Sequence, residues 1–142
     1  MQPVLMDSSI YIAAFRTGQE TVATLRWLTP SAPVWLSAVV LEELYAGARG
    51  RHYGAVERLE GEFAKLRRIL VPTLNDWAQA GKLLAQMAPA RGYERIGRGR
   101  LTNDALIAMS AARRGITVLT ANVKDFALLA NLRPFRYQVM TI

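Results

Sequence analysis

A carboxylate set in apolar sequence is a chemical signal, because taking it out of water unpaired costs several kcal/mol. The 142-residue chain has only four aspartates, and two of them sit in such surroundings. Asp7 ends the apolar run Val4-Leu5-Met6, and Asp104 shares a helical face with Ile107, Ala108 and Ala111. A third acid, Glu43, lies inside Val39-Val40-Leu41-Glu42-Glu43-Leu44, where periodicity alone does not choose between it and Glu42. Groups of this kind are paired, hydrogen-bonded or bound to a metal, and three together suggest one shared cation. Oxygen ligands suit a hard ion, Mg²⁺ or Mn²⁺, which takes a few carboxylates and keeps several waters. Such an ion activates water and neutralises charge on a phosphodiester, the two needs of a nuclease. Each acid also has a plainer reading. Asp7 can cap the helix that begins at Ser8, Asp104 can stabilise a helix start through the macrodipole, and Glu43 can be a solvated helix residue.

Composition narrows the chemistry. There is no cysteine, which removes disulfides, thiolate catalysis and thiolate-bound zinc, and His52 is the single histidine, which disfavours triads and multi-histidine metal sites. The net charge is +7, and arginine supplies 15 of the 18 basic residues. Arginine is the better planar, bidentate partner for phosphate, so a nucleic-acid partner is the leading reading of that charge, beside a plain coding bias toward arginine. Arg91, Arg95, Arg98 and Arg100 punctuate a glycine-rich stretch that reads either as a lip guiding RNA or as a solvated loop. No apolar stretch approaches the ~20 residues of a bilayer span, and no basic segment precedes the first apolar run, so a cytoplasmic protein without a membrane partner is expected.

The elements that must position these acids follow from periodicity. Short apolar strands are expected at 4–6, 34–37, 68–72, 116–120 and 138–140. Helices are expected from Ser8 to Phe15, Thr21 to Leu28, Ser37 or Ala38 to Gly47, and Tyr53 to Arg68. Three more run from Asn75 to Met87 with Pro89 as the stop, from Thr102 or Asn103 to Arg114, and from Asp125 to Leu132. Strand and helix alternate from end to end, which argues for one α/β domain over residues 1–142, a parallel sheet covered by helices on both faces. At this length a single domain buries roughly 70% of its unfolded surface. Sites in such sheets form at the carboxyl ends of the strands. Asp7 ends the first strand, Asn122 follows the fourth strand's Thr120, and Glu43 and Asp104 ride on flanking helices, so all four can converge at one edge.

The order of these motifs resembles the PIN-domain ribonucleases, and within them the VapC-like toxins of bacterial toxin–antitoxin pairs. Val4-Leu5-Met6-Asp7-Ser8-Ser9 is similar to the family's opening, and Ser37-Ala38-Val39-Val40-Leu41-Glu42-Glu43-Leu44-Tyr45-Ala46-Gly47 to its acidic helix, where the pattern picks Glu43. Asp104-Ala105-Leu106-Ile107-Ala108 and Thr120-Ala121-Asn122-Val123-Lys124-Asp125-Phe126 resemble the two later motifs. The resemblance covers nearly the whole chain and implies a three-layer α/β/α fold with a five-stranded parallel sheet. It further implies an Mg²⁺-dependent endoribonuclease toxin that cleaves RNA by a metal-activated water, acting as a homodimer with a small VapB-like antitoxin encoded alongside. Asp7, Glu43, Asp104 and Asn122 are then the catalytic set, with Asp7 and Asp104 on the metal and Thr120, Arg95, Arg98 and Arg100 on the substrate. Asn122 stands where many members carry a fourth acid, and Asp125 lies three residues on.

The competing reading is a non-catalytic, basic regulatory protein that binds nucleic acid, for which +7 suffices. It leaves the embedded acids unexplained, since carboxylates repel a phosphate unless a cation intervenes. A haloacid-dehalogenase-type phosphotransferase needs a second aspartate where Ser9 stands, and a phospho-accepting receiver needs one where Pro72 and Thr73 stand.

Overall fold

A computed structural model describes residues 2–18, 31–91 and 100–141. Five strands form one all-parallel sheet: β1 (Val4–Met6), β2 (Val34–Ser37), β3 (Ile69–Leu70), β4 (Thr117–Thr120) and β5 (Tyr137–Val139), in the spatial order β3-β2-β1-β4-β5. The described helices are α1 (Ser8–Thr17), α2 (Ala38–Gly47), α3 (Arg51–Lys65), α4 (Leu74–Arg91), α5 (Arg100–Arg114) and α6 (Val123–Leu132). Together they make the expected three-layer α/β/α arrangement. The helix expected over Thr21 to Leu28 lies outside the described residues.

The central strand shows why the sequence folds this way. Val4, Leu5 and Met6 are all buried, as a strand covered on both faces requires. Val4 and Leu5 register with Val34 and Trp35 on one side, and Val4 to Met6 with Thr117 to Leu119 on the other. The outer strands differ. β5 exposes Gln138 and Val139, and β3 is only two residues long, which leaves little open edge on that side. The chain runs outward from β1 through β2 to β3, then crosses back to place β4 on the far side of β1. The order reverses between β1 and β4, and at such a point the crossing helices part and leave a crevice at the strands' carboxyl ends.

Several boundaries differ from the sequence expectation. α4 begins after Thr73, not at Asn75: the Thr73 N–H donates to Asp76 Oδ2 (2.9 Å) and the Asp76 N–H to Thr73 Oγ1 (3.2 Å), a reciprocal capping box. The same helix runs through Pro89 to Arg91, with the proline in its last turn, where one missing backbone bond disturbs little of the helix. α5 starts at Arg100, ahead of Thr102 and Asn103. α6 starts at Val123 and α3 spans Arg51–Lys65. Gly47 is the last residue of α2 and the cap is Ala48 in extended conformation, so the glycine is not used as a left-handed stop.

Left-handed helix ends occur elsewhere. Gly115 (φ 65°) closes α5: its N–H donates to the Ala112 carbonyl, and the Ile116 N–H to the Ala111 carbonyl. This is the Schellman pattern, and glycine takes the positive φ without strain. α3 closes the same way, with the Arg67 N–H on the Ala64 carbonyl and the Arg68 N–H on the Phe63 carbonyl, but Arg67 (φ 55°) holds the left-handed place. An L-residue with a side chain loses on the order of 1–2 kcal/mol there. Arg67→Gly removes that strain at an exposed position and is expected to stabilise the fold by about 1 kcal/mol, after the entropy of the more flexible unfolded chain is set against it. Urea unfolding of both proteins measures the difference; a loss of stability would show that the arginine side chain makes a compensating contact.

Candidate active site

The residues that leave β1 and β4 meet where the strand order reverses. Asp7 follows β1 directly and takes extended backbone angles (φ −77°, ψ 176°), which turns the chain from strand into α1. The Asp7 N–H donates to the Leu119 carbonyl at 2.9 Å, so the pairing with β4 continues into the crevice. The side chain caps α1 by accepting from the Ser9 N–H at 3.1 Å on Oδ1, and the Ser9 hydroxyl makes a short bond to the same oxygen. The cap reading is therefore correct for Asp7, and it is not the whole account. Oδ2 accepts from the Thr120 hydroxyl at 2.6 Å, across 113 residues of chain, in a bond that a helix cap does not need.

Two relays result. The Asn122 N–H donates to Thr120 Oγ1 (2.9 Å), whose hydroxyl reaches Asp7 Oδ2; the Ala121 N–H donates to Ser9 Oγ (3.1 Å), whose hydroxyl reaches Asp7 Oδ1. Both join the end of β4 to the start of α1 through one carboxylate. Thr120, expected on the substrate, here bonds the acid itself. Ser9 was missed as a site residue. Its signal was present: a hydroxyl two residues after an aspartate that caps a helix is placed to bond that aspartate's carboxylate.

Asp7 is buried, as are Thr120 and Asp104. Every hydrogen bond made to the Asp7 carboxylate among the described residues comes from a neutral donor. Desolvation raises its carboxyl above the usual carboxylate value, and the bonds from Ser9 and Thr120 offset part of that rise. Asp76 is a useful contrast. It is equally buried, but it carries the Arg113 guanidinium on both oxygens, with Nε at 3.1 Å and 3.0 Å. One buried aspartate has been given a cation by the fold and the other has been given hydroxyls.

The remaining acids come from the flanking helices. With α5 beginning at Arg100, Asp104 lies beyond its first turn, where the macrodipole has little effect, so a dipole role does not account for its burial. α2 and α5 pack together, and the Asn103 side-chain amide reaches Glu42 Oε2 at 3.4 Å. Glu43 and Asp104 are the sequence neighbours of that contacting pair. Glu43 is half-buried and lines a cavity of about 210 Å³ with Ile12, Phe15, Leu44 and His52, so it is not a solvated surface acid. His52 stacks on Phe15, with ring centroids 5.6 Å apart. Asn122 immediately precedes α6 but makes no side-chain cap bond, which leaves its amide out of helix capping, and Asp125 sits in that helix's first turn.

The donor chemistry fits a hard divalent cation in kind. Oxygen ligands dominate, and Asp7 Oδ2 takes one hydrogen bond where a carboxylate oxygen has room for about two. The described residues do not, however, hold any group of three or more acidic or histidine side chains close enough to bind a metal by themselves. The expected three-carboxylate cluster is thus not gathered. Mg²⁺ ordinarily takes one or two carboxylates and completes its octahedron with water and phosphate oxygens, so a pair of acids meets its needs. Arg95 and Arg98 lie outside the described residues, and Arg100 opens α5.

The raised carboxyl of Asp7 gives a signed prediction. A folded-state value above the unfolded one means that the charged form is disfavoured by folding. The wild type is then destabilised above the raised value and recovers as pH falls through it. Asn is an equally good cap and does not titrate. Its Nδ2 can donate to Thr120 Oγ1 while that hydroxyl turns to the Asn122 carbonyl, 3.2 Å away. Asp7→Asn is expected to be the more stable protein at pH 7 in EDTA, with the gap closing in acid. Thermal melts across pH check this, and a gap that is constant with pH would show that the carboxylate's desolvation does not govern stability.

Comparison with known proteins agrees with this geometry. A model of the PIN domain matches residues 4–132, and no curated protein matches the chain. Among solved structures the fold is similar to VapBC from Salmonella typhimurium bound to DNA (22% identity, TM-score 0.68, covering 98% of each chain). It is also similar to a VapBC from Rickettsia felis bound to a DNA fragment from its promoter (20% identity, TM-score 0.66, covering 99% of this chain and 100% of that one). A third likeness is to a VapBC from nontypeable Haemophilus influenzae (21% identity, TM-score 0.63, covering 97% and 98%). With the switch-point aspartate, the hydroxyl relay and a family match that spans nine-tenths of its length, the chain belongs to the PIN-domain family, whose members are nucleases.

Proposed function

We propose that the protein is an Mg²⁺-dependent endoribonuclease, the toxin of a bacterial toxin–antitoxin pair, acting as a homodimer and restrained by a small VapB-like antitoxin. The observation that carries the reading is Asp7: a buried carboxylate at the switch point of a PIN-domain sheet, oriented from both sides by hydroxyls and, among the described residues, bonded only by neutral donors. The likeness to VapBC structures supports the partner.

Asp7 and Asp104 would hold the ion through carboxylate oxygens, with Mn²⁺ able to substitute and the Asn122 amide as a neutral further donor. When bound, Mg²⁺ supplies charge neutralisation for the phosphodiester and eases deprotonation of the attacking water. The chain's own residues do the positioning. Thr120 and Ser9 fix the Asp7 carboxylate, so its oxygens do not reorient during the reaction. Glu43 takes the proton of the water whose oxygen bonds to phosphorus, while the P–O ester bond breaks and the leaving oxygen gains a proton. Arg95, Arg98 and Arg100 would hold the substrate's backbone. A purely binding role fits the charge but gives no purpose to buried carboxylates beside a phosphate.

Asp104→Asn tests the reading. It is expected to reduce Mg²⁺-dependent cleavage of single-stranded RNA by at least about 100-fold, on the scale of removing a principal electrostatic group from an active site. It should also keep or raise the melting temperature in EDTA, because repulsion among neighbouring acids is relieved. The assay is gel-resolved RNA cleavage beside thermal melts, and full activity in the variant would refute the site.

A further inference from the structure

The amino ends of the strands, on the edge opposite Asp7, carry an arrangement that the nuclease site does not use. Six of the 15 arginines lie just before β3, β4 and β5: Arg67 and Arg68, Arg113 and Arg114 in the last turn of α5, and Arg133 and Arg136. Arg113 of this set is held by an acid, Asp76. The strands are parallel, so these positions share one side of the molecule. Asp7 and Asn122 lie on the other, about 13 Å away along the four residues of β4 at about 3.3 Å per residue.

A cavity of about 460 Å³ opens on this edge, between the end of α5, the entry to β4 and the α6–β5 connection. Ala112, Gly115, Ile116, Pro134 and Phe135 form its walls, and Arg133 and Arg136 flank it. Each guanidinium is steadied by one neutral acceptor. Arg136 Nη1 donates to Gln2 Oε1 at 2.7 Å, and Arg133 Nη1 makes a short bond to the Pro134 carbonyl. That leaves most of the five N–H donors on each directed elsewhere. The carbonyl end of α5, which would repel an anion, is closed by the Gly115 and Ile116 N–H groups. Phe135 is half-buried and held edge-on by Phe126 (centroids 6.2 Å) and tilted against Tyr137 (5.7 Å). The cavity therefore combines two positioned phosphate binders with a fixed ring, in a volume of the size that small-molecule sites have.

We propose that this cavity is a second, non-catalytic nucleotide site: Arg133 and Arg136 take a phosphate, and Phe135 with Pro134 takes the face of a base. Arginine forks match phosphate bidentately, and aromatic side chains stack on bases of any sequence. The ligand is either a nucleotide unit of an RNA strand whose scissile bond lies at Asp7, or a free nucleoside monophosphate. Only the strand alternative rests on the ribonuclease reading.

The experiment uses the full chain. Amide chemical shifts are followed during titration with inorganic phosphate, adenosine monophosphate and a 12-nucleotide single-stranded RNA, in EDTA so that cleavage is stopped. Shifts at Gly115, Ile116, Phe135 and Arg136 are expected with the mononucleotide, and stronger ones with the RNA if the strand is the source. A response to the mononucleotide with none from RNA assigns a free nucleotide. The second arm is the double variant Arg133→Gln, Arg136→Gln, checked for an unchanged melt. Its RNA affinity is expected to fall about tenfold, and the slope of log K against log salt to drop by about 1.4, at roughly 0.7 per lost phosphate contact on a single strand. Absence of shifts at the cavity with every ligand overturns the proposal, as does a double variant that binds both adenosine monophosphate and the RNA as the wild type does. Failure of the ribonuclease reading registers separately, as intact RNA with wild type and Mg²⁺.

Discussion

One carboxylate, Asp7, ties the two halves of this fold together. The sheet reverses its order between β1 and β4, so the strands on either side of that line are joined in sequence only by a crossing that passes over the whole domain. Backbone pairing holds β1 to β4 along their length, but it ends at Asp7, where the chain turns into α1. Beyond that point the hydroxyls of Thr120 and Ser9 continue the connection through the Asp7 oxygens, and each hydroxyl is itself fixed by a backbone N–H from the segment that follows β4. Chains of this kind polarise one another and are stronger in a dry surrounding than in water. They also leave the acid rigid, which a cation-binding group requires.

The two fully buried aspartates with known partners show how the fold separates structure from chemistry. Asp76 closes the start of α4 with Thr73 and binds Arg113 of α5 with both oxygens, so the two helices are clamped by an ion pair whose charge is internally balanced. Breaking such a pair leaves a buried charge uncompensated, which makes it a fixed part of the scaffold. Asp7 is as buried, and among the described residues its bonds come from neutral groups alone. Stability alone would favour a neutral residue there, and local departures from a stable arrangement are concentrated where a protein does its work.

Much of this was legible in the sequence, and the reasons are specific. Val4-Leu5-Met6 followed directly by Asp7 and two serines encodes a strand buried on both faces, an abrupt end and a helix start, all of which the fold realises. The parallel sheet follows from alternation of short apolar runs with helices. What was not legible is contact between segments far apart in sequence. Asp76 gave no signal, because its partner Arg113 is 37 residues away and its box with Thr73 uses an aspartate where glutamate or glutamine is usual. The start of α5 was placed too late because Thr102 and Asn103 are good caps, and the chain passed over them. Ser9 was read as part of a helix start, when its hydroxyl also receives the Ala121 N–H from 112 residues on. Local pattern fixes elements well and cross-strand side-chain bonds poorly.

Charge is distributed along the same axis as the chemistry. A net charge of +7 read from composition has no direction, whereas the fold sets six arginines near the strands' amino ends and Asp7 at a carboxyl end. A uniform basic surface would hold a polyanion in any register. Arginines grouped about one strand length from Asp7 hold it in fewer, because a phosphate is tolerated beside a carboxylate only where positive charge screens it. Arg114 shows that the arginines at this edge are also shaped by packing: its guanidinium lies 4.8 Å over the Trp35 ring, which orients it without neutralising it. The polarity of the molecule thus follows from strand direction, since in a parallel sheet every residue that enters a strand faces one way and every residue that leaves it faces the other.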